Sequence, residues 1–416
     1  MNKEILEKYA KLLLVVGLGF KDGQCLEIFG EPEHMDIIDE LEEQAYKMGA
    51  PFVLINVTSP RSSVNYTNYR KNKYLGYLPK YSVTERDEKI KEHWARIYFC
   101  DTQDNKVLAE VDSKKALKLS KALKDFKKPM GDAVNVFMQV PHTIALYPTK
   151  KWAATLLNKE PNDKTLKEAW EVLIPILKLD QPDPVKAWKD VMKKRDKQAK
   201  ILTDFKPETI HFKSRNTDLF IGINYNAHWG SAYEAAFDGR KMLVNIPSDE
   251  IFTTPNCNKT EGYVTITKPV DVLGKPVVGA VFEFERGKIV HYKADQNEKQ
   301  LDLLFKADPR SRYLGEVALV DFFSEINQTN LIFNEILIDE NASCHIALGD
   351  GYPSMLHDID ISKKKILEQN GCNIADHHID FMIGAKDMDV TILKESKLYP
   401  GSTDIKRIML NGRILI

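Results

Sequence analysis

The sequence predicts an α/β N-terminal domain with a largely parallel sheet, followed by a strand-rich α+β domain. In the first half of the chain, helical and strand-like patterns alternate, as they do in βαβ units. After about residue 205 the pattern changes to short β-rich runs interrupted by Gly, Asn and Pro. The 416 residues also exceed what one hydrophobic core usually serves. We therefore expect two domains, residues 1–205 and residues 206–416.

The individual elements follow from hydrophobic periodicity. In the first domain we predict a helix over 2–16, a strand at Cys25–Phe29, a helix at Pro32–Met48 and a strand at Phe52–Val57, then a strand at Ala95–Phe99, a Lys-rich helix at Ser113–Phe126, a strand in the apolar run Ala133–Val140, and amphipathic helices at Thr165–Leu179 and Pro184–Phe205. In the second we predict strands at Thr217–Ile223, Gly262–Ile266, Val278–Phe284 and Asn330–Ile338.

The composition argues against a nucleic-acid-binding protein and against a membrane protein. The chain has 59 Lys and Arg against 60 Asp and Glu, a formal net charge of −1, which gives no electrostatic reason to expect nucleic acid as a partner. No segment approaches the roughly 18 consecutive apolar residues of a membrane span, and the N-terminal apolar run lacks the features of a signal peptide. We expect neither a membrane nor a nucleic-acid partner.

Cysteine usage predicts a reducing compartment. The five cysteines are odd in number and never form a CxxC pair, which argues against a disulfide framework and against a structural zinc knuckle. We therefore expect a cytoplasmic protein. The glycines of Gly17–Gly23 miss the G-x-G-x-x-G spacing by one residue and precede a strand instead of a helix, so we interpret them as a helix end and a turn.

Two segments pair a histidine with a carboxylate. His345 follows Glu340 by five residues, and His378 is separated from Asp380 by Ile379. On an extended strand, His378 and Asp380 project from the same face while Ile379 points to the other. This arrangement suits two ligands of one metal, but it equally suits an ion pair on an exposed strand face.

Two isolated carboxylates extend the candidate site. Glu250 lies in a loop bracketed by Pro247 and Pro255, and Glu316 lies in an otherwise apolar strand. A carboxylate is costly to bury unless it is paired or bound to a metal; the alternative for Glu316 is a strand-edge acid that faces water. The full set of candidates offers the oxygen and nitrogen ligands that bind zinc, cobalt or manganese: Glu250, Glu316, Glu340, His345, His378 and Asp380. Six ligands are more than one ion needs, which indicates two ions with a shared carboxylate, although the spacing matches no HExxH-type motif.

These segments carry a family resemblance. In order along the chain, they are NIPSDEIFTTP at 245–255, YLGEVALVD at 313–321, DENASCHIALG at 339–349, Tyr352-Pro353 and HIDFMIG at 378–384. Together they closely resemble the conserved blocks of the aminopeptidase T and aminopeptidase S family of metallopeptidases. The likeness extends more loosely to the N-terminal half, for example to Val140-Pro141, Tyr147-Pro148 and Trp152, and so covers essentially the whole chain.

The resemblance implies a metal-dependent aminopeptidase that removes the N-terminal residue of peptides, with two divalent ions in residues 206–416 and a homodimeric assembly. It implies that all six candidates are metal ligands, that Glu316 also acts as a base, and that Tyr352 hydrogen-bonds the oxyanion; without the resemblance, Tyr352 reads as a turn or core aromatic. Asn256-Cys257-Asn258 and Asp350 depart from the family pattern without replacing a ligand. A metal-dependent hydrolase of another amide and a non-catalytic relative remain alternatives.

Overall fold

The computed structural model describes residues 2–100, 105–395, 401 and 403–416. Its helices are α1 (Lys3–Leu12), α2 (Met35–Lys47), α3 (Pro60–Asn68), α4 (Tyr81–Lys91), α5 (Asn105–Leu108), α6 (Ser113–Asn135), α7 (Lys150–Leu157), α8 (Asp163–Ile176), α9 (Pro184–Phe205), α10 (Glu298–Ala307), α11 (Glu325–Gln328), α12 (Ile336–Asp339) and α13 (Lys364–Gln369).

The strands up to Pro255 are β1 (Leu26–Gly30), β2 (Val53–Val57), β3 (Ala95–Phe99), β4 (His142–Ala145), β5 (Thr209–Ser214), β6 (Thr217–Ile223), β7 (Gly230–Ser231), β8 (Tyr233–Ala235), β9 (Lys241–Leu243), β10 (Asn245–Ile246) and β11 (Ile251–Thr253). From there they are β12 (Pro255–Thr265), β13 (Val270–Val272), β14 (Lys275–Val277), β15 (Val281–Glu285), β16 (Lys288–Lys293), β17 (Leu314–Leu319), β18 (His345–Gly349), β19 (His378–Met382), β20 (Asp389–Glu395), β21 (Thr403–Leu410) and β22 (Arg413–Ile414).

The described residues divide into two compact units. The first comprises Met1–Asp190 with Tyr233–Pro247, and the second comprises Val191–Ala232 with Ser248–Ile416. The units are defined by packing alone, so the division into domains 1–205 and 206–416 stays a prediction.

The first unit contains a parallel sheet in the order β10-β4-β3-β1-β2. Helix α1 buries Tyr9, Ala10 and Leu12, and a π-helical turn at Leu13–Gly17 extends it. Gly19 and Gly23 follow with φ of 55° and 76°, a left-handed backbone that glycine adopts without strain. The interpretation of this segment as a helix end and a turn is confirmed.

One predicted strand of this unit is wrong. The run Ala133–Val140 is not a strand, because α6 continues through Pro129 to Asn135 and the strand begins at His142. Ala133 and Val134 pack with Val140 in a small apolar cluster. An apolar run of this length fits a helix end that turns back on itself as well as it fits a strand.

The second unit contains two antiparallel sheets that share a core. One has the order β19-β18-β17-β11-β7 and the other the order β16-β15-β12-β6-β5-β20-β21-β22. Their buried side chains form one cluster, in which the rings of Phe282 and Phe381 meet edge to face at 5.2 Å between centroids. The predicted fold class, α/β followed by strand-rich α+β, is confirmed.

The predicted strand at Asn330–Ile338 is also wrong. Its end forms α12, and Asn330 and Asn334 have positive φ values of 56° and 55°, which a strand does not accommodate. The carboxylate of Asp339 accepts hydrogen bonds from the amides of Phe333 and Glu335 and so fixes a turn. Among the described residues, no helix is both long and apolar enough to cross a membrane.

Candidate metal centre

The candidate site lies on one face of the five-stranded sheet of the second unit. Glu316 is in the middle of β17, a strand whose residues are all buried. Strand pairing places Glu316 opposite Ala347 on β18, and Ala347 opposite Asp380 on β19. Directly opposed residues of antiparallel strands project from the same face. The two carboxylates therefore flank Ala347, whose methyl group leaves space between them.

The histidines reach the same face by strand alternation. His345 lies two residues before Ala347, and His378 lies two residues before Asp380. The residue opposite His378 is Gly349, and the residue opposite His345 is Ala318. Small side chains thus occupy the positions between the polar ones. The sequence prediction that His378 and Asp380 share a face is confirmed.

The polar atoms form two groups of three. Ligand atoms of Glu250, Glu316 and His345 lie within 4.8 Å of one another, and so do those of Glu316, His378 and Asp380. His345 Nε2 is 3.2 Å from Glu250 Oε2. His378 Nε2 is 3.1 Å from Glu316 Oε2 and 3.3 Å from Asp380 Oδ1. Glu316 is common to both groups.

Glu340 lies beside these groups. It follows α12 directly and is half-buried, and Asn341 Nδ2 donates to its Oε1 at 3.4 Å. Burial and the charges of Glu250 and Asp380 raise the pKa of Glu340 well above its usual value. The charges of the site therefore affect the pKa of Glu340. Among the described residues, however, its carboxylate belongs to neither group of three.

The site concentrates negative charge in a buried place. Burial raises the pKa of Glu316 to about 7, and the charges of Asp380 and Glu250 add to this, while His378 opposes it. Burial acts to lower the pKa of His345, but its bond to Glu250 and the nearby acids outweigh burial and raise that pKa to about 10. These pKa shifts indicate that the buried carboxylates repel one another and that the two histidines neutralise only part of their charge. A cation bound among the carboxylates would reduce this repulsion.

The surroundings of the Asp380 carboxylate indicate whether a metal ion suits this site. Burial acts to raise its pKa, but the charge of His378 outweighs burial, so the pKa of Asp380 is lowered and the carboxylate stays ionised. Among the described residues, its buried Oδ1 accepts no hydrogen bond, and His378 Nε2 lies 3.3 Å away as a charged neighbour. A bound metal ion would stabilise this buried, ionised oxygen, as the charge of His378 does. The oxygen and imidazole donors suit zinc, cobalt or manganese.

Backbone carbonyls orient the two imidazoles. His345 Nδ1 is 3.3 Å from Ser343 O, and His378 Nδ1 is 2.8 Å from Asp350 O. A ring that donates its Nδ1–H to a carbonyl presents Nε2 as the ligand atom. Asp350, which departs from the family pattern, thus contributes through its backbone.

The residues that hold the Glu250 loop were not among those predicted from the sequence. Asn341 is fully buried, accepts from the Asp249 amide at 2.7 Å and donates to Leu337 O at 3.1 Å. Arg195 makes a bidentate pair with Asp249 in which both contacts are 2.7 Å. The adjacency of Asn341 to Glu340 and of Asp249 to Glu250 is the only signal in the sequence that could have found them.

Tyr352 follows β18 and turns its hydroxyl toward the site. The phenol oxygen is 3.3 Å from His378 Nε2, and the ring meets Phe252 edge to face at 5.3 Å between centroids. Burial and the charges of Glu316 and Asp380 raise the pKa of Tyr352 well above its usual value. The phenol is therefore a neutral hydrogen-bond donor at neutral pH.

The chain is similar to known proteins over nearly its whole length. The chain is 30% identical to aminopeptidase PepS of Streptococcus thermophilus over 389 residues, which cover 93% of this chain and 94% of that protein. It is 30% identical to aminopeptidase T of Thermus thermophilus over 393 residues, which cover 94% and 95%. The solved structure of wild-type AmpT from Thermus thermophilus matches with a TM-score of 0.87 and 28% identity and covers 100% of both chains.

The predicted family resemblance is thereby confirmed over nearly the whole chain. The family model described as thermophilic metalloprotease (M29) matches residues 2–413. Metalloproteases of this kind require a divalent ion, and the buried acids and histidines on the sheet face provide suitable ligands. The chain belongs to the thermophilic metalloprotease (M29) family.

Proposed function

We propose that this enzyme is a metallo-aminopeptidase that hydrolyses the N-terminal residue from peptides with the help of two divalent metal ions. The names of its relatives support the reaction. The observation that carries the two-metal assignment is the pair of three-residue groups that share Glu316. Two ions with a common carboxylate are a recurrent design for hydrolysis of amides.

The ligands divide between the two ions as the geometry groups them. Glu250 and His345 would hold one ion, His378 and Asp380 would hold the other, and Glu316, which belongs to both groups, would serve both. Glu340 completes the set from the side of α12, as the family resemblance implies. The ions are zinc, cobalt or manganese, since each accepts mixed carboxylate and imidazole ligands.

Bound ions supply Lewis acidity, which polarises a scissile carbonyl and lowers the pKa of water toward neutrality. Glu316 moves the proton from the attacking water to the departing amine. Its membership of both groups of three supports this role, because a base must lie within hydrogen-bond reach of the proton that it accepts. Tyr352 donates its phenolic hydrogen to the oxyanion of the tetrahedral intermediate.

Recognition of the α-amino group restricts the enzyme to chain ends. Two divalent ions would balance the charge of the four carboxylates, so net charge alone does not select the substrate. The free α-amino group would bind to one of the ions or to one of the acids, and acylation of the amine removes this interaction. The substrates are therefore peptides with a free N-terminus.

The assembly and the compartment are part of the proposal. A homodimer rests on the family resemblance. A cytoplasmic location is supported by the cysteines, since all five are free thiols.

A reconstitution experiment tests the reaction. The protein is stripped with a chelator, loaded separately with zinc, cobalt or manganese, and assayed on aminoacyl reporter amides and on their N-acetylated counterparts. We expect metal-dependent hydrolysis of the free amines alone. Glu316→Gln should lower kcat by about 10³-fold or more, whereas Glu283→Gln, on the exposed side of β15, should leave kcat unchanged.

Three results would contradict the proposal. Hydrolysis of the acetylated amides would indicate a hydrolase of another amide. A protein that takes up no ion and cleaves nothing would be a non-catalytic relative. Full activity in Glu316→Gln would remove the central residue of the mechanism.

A further inference from the structure

We infer that Thr254 is a positioning residue for the reaction proposed above, on which this inference rests. Its side chain is fully buried. Thr254 Oγ1 donates to Gly315 O at 2.8 Å and accepts from the Tyr352 amide at 3.2 Å. One hydroxyl thus joins the residue before Glu316 to the backbone of Tyr352.

The sheet fixes the backbone of Thr254 independently of its hydroxyl. Thr254 directly follows β11, where Thr253 pairs with Val317 of β17. It directly precedes Pro255, which opens β12 and pairs with Ile223. The hydroxyl therefore projects from a rigid frame and can serve as a reference point for the less regular segment that carries Tyr352.

Glycines allow that segment to approach closely. A Cβ on Gly351 would lie 2.7 Å from Thr254 Oγ1, and a Cβ on Gly315 would lie 1.9 Å from Asp350 O. Both distances are shorter than a carbon atom tolerates, so both positions require glycine. The turn before Tyr352 therefore rests directly on β17 and on the Thr254 hydroxyl.

This packing sets where the phenol of Tyr352 lies. The amide of Tyr352 is held by Thr254, and its ring is held by Phe252 at 5.3 Å between centroids. Without the hydroxyl, the Tyr352 amide and the Gly315 carbonyl lose a buried partner, and buried unpaired groups are costly enough to drive local rearrangement. A shift of the turn moves the phenol relative to His378, and misplacement of about 1 Å costs roughly 100-fold in rate.

Three substitutions separate positioning from packing. Thr254→Val keeps the shape and removes the hydroxyl, whereas Thr254→Ser keeps the hydroxyl. Thr253→Val is the matched control: Thr253 is also fully buried, but its Oγ1 donates to His228 O at 2.7 Å and not to Gly315 or Tyr352. Each variant is loaded with metal, and kcat, KM and metal content are measured on an aminoacyl reporter amide.

For Thr254→Val we expect kcat to fall by about 10- to 100-fold with KM and metal content close to wild type, because the loss affects the transition state. Thr254→Ser should restore most of kcat, and Thr253→Val should retain it. Wild-type kcat in Thr254→Val, or an equal loss in Thr253→Val, would overturn the inference.

Two further outcomes of this experiment have a defined meaning. If Thr254→Val does not fold, Thr254→Ala replaces it and is compared with Thr254→Ser by the same criteria. If the wild-type enzyme shows no metal-dependent release of N-terminal residues, the proposed function fails first, and that result is distinguishable from equal activity among the variants.

Discussion

Glu316 is a carboxylate in a fully buried strand, where its ionised form is unfavourable unless it is paired. The sequence left open a strand-edge acid that faces water. The structure excludes that alternative, since β17 lies between β18 and β11 and Glu316 is only 3% exposed. The ion pair with His378 offsets part of the free-energy cost of burying this carboxylate, since His378 Nε2 is 3.1 Å from Glu316 Oε2. A bound cation would offset more of that cost, since a buried charge is tolerated when it is paired or metal-bound.

Tyr352 allows a sharp test of oxyanion stabilisation. Tyr352→Phe removes only the hydroxyl and keeps the edge-to-face contact of the ring with Phe252. We expect kcat to fall by about 10²- to 10³-fold, as on loss of one oxyanion donor, while KM and metal content stay close to wild type. Steady-state kinetics and metal analysis measure these quantities. A rise in KM with unchanged kcat would instead assign the phenol to substrate binding.

At the scale of secondary-structure elements, features that depend on local periodicity could be predicted from the sequence. The alternation of His378, Ile379 and Asp380 requires only that the segment be a strand, and the structure has that strand with Ile379 packed toward the core. The row Glu316, Ala347 and Asp380 depends on which strands pair and in which register. Pairing between residues far apart in sequence leaves no periodic signal, so it could not be predicted.

The two wrong strands have the same origin. Ala133–Val140 and Asn330–Ile338 are apolar runs bounded by turn-forming residues, which predict strands when composition is the only guide. The structure differs: Ala133 lies in the last turn of α6, and Asp339 accepts amide hydrogen bonds that fix a turn. The polar contacts of Asn341 and Arg195 likewise depend on side chains that meet only after folding.

A buried ion cluster on the parallel sheet gives a prediction for the first unit. Glu27 of β1 is 3% exposed; its Oε1 is 2.7 Å from Lys89 Nζ of α4, and its Oε2 is 2.6 Å from an Arg96 nitrogen of β3. Glu27→Gln removes the carboxylate from Arg96 and leaves Lys89 with only the partly exposed Glu85. We expect a loss of about 3 to 5 kcal/mol in the free energy of unfolding, measured by urea denaturation of the metal-free protein.

Glu85 is the matched control for this prediction. It also contacts Lys89 Nζ, at 2.6 Å, but its side chain is 43% exposed. Glu85→Gln should cost about 1 kcal/mol or less, since solvent screens an exposed pair. Equal losses for Glu27→Gln and Glu85→Gln would show that burial does not determine how much each ion pair contributes to the free energy of unfolding.

At the scale of the whole molecule, the candidate ligands are confined to one unit. Glu250 and Asp380 bracket the set, and the residues between 248 and 416 belong to the second unit. In the unfolded chain these acids and histidines are up to about 130 residues apart, so they form no preorganised site. Metal ions should consequently bind the native second unit and not its unfolded form.

Selective binding to the native state predicts thermal stabilisation by metal. An ion at about 100 times its Kd stabilises the native state by about 2.7 kcal/mol, which for a unit of about 200 residues raises Tm by roughly 5 to 10 °C. Scanning calorimetry with excess chelator and with added zinc or cobalt measures the shift. Glu316→Gln should lose most of it, because Glu316 belongs to both ligand groups, whereas Glu283→Gln should retain it. A Tm that is the same with chelator and with metal would contradict a metal centre buried in this sheet.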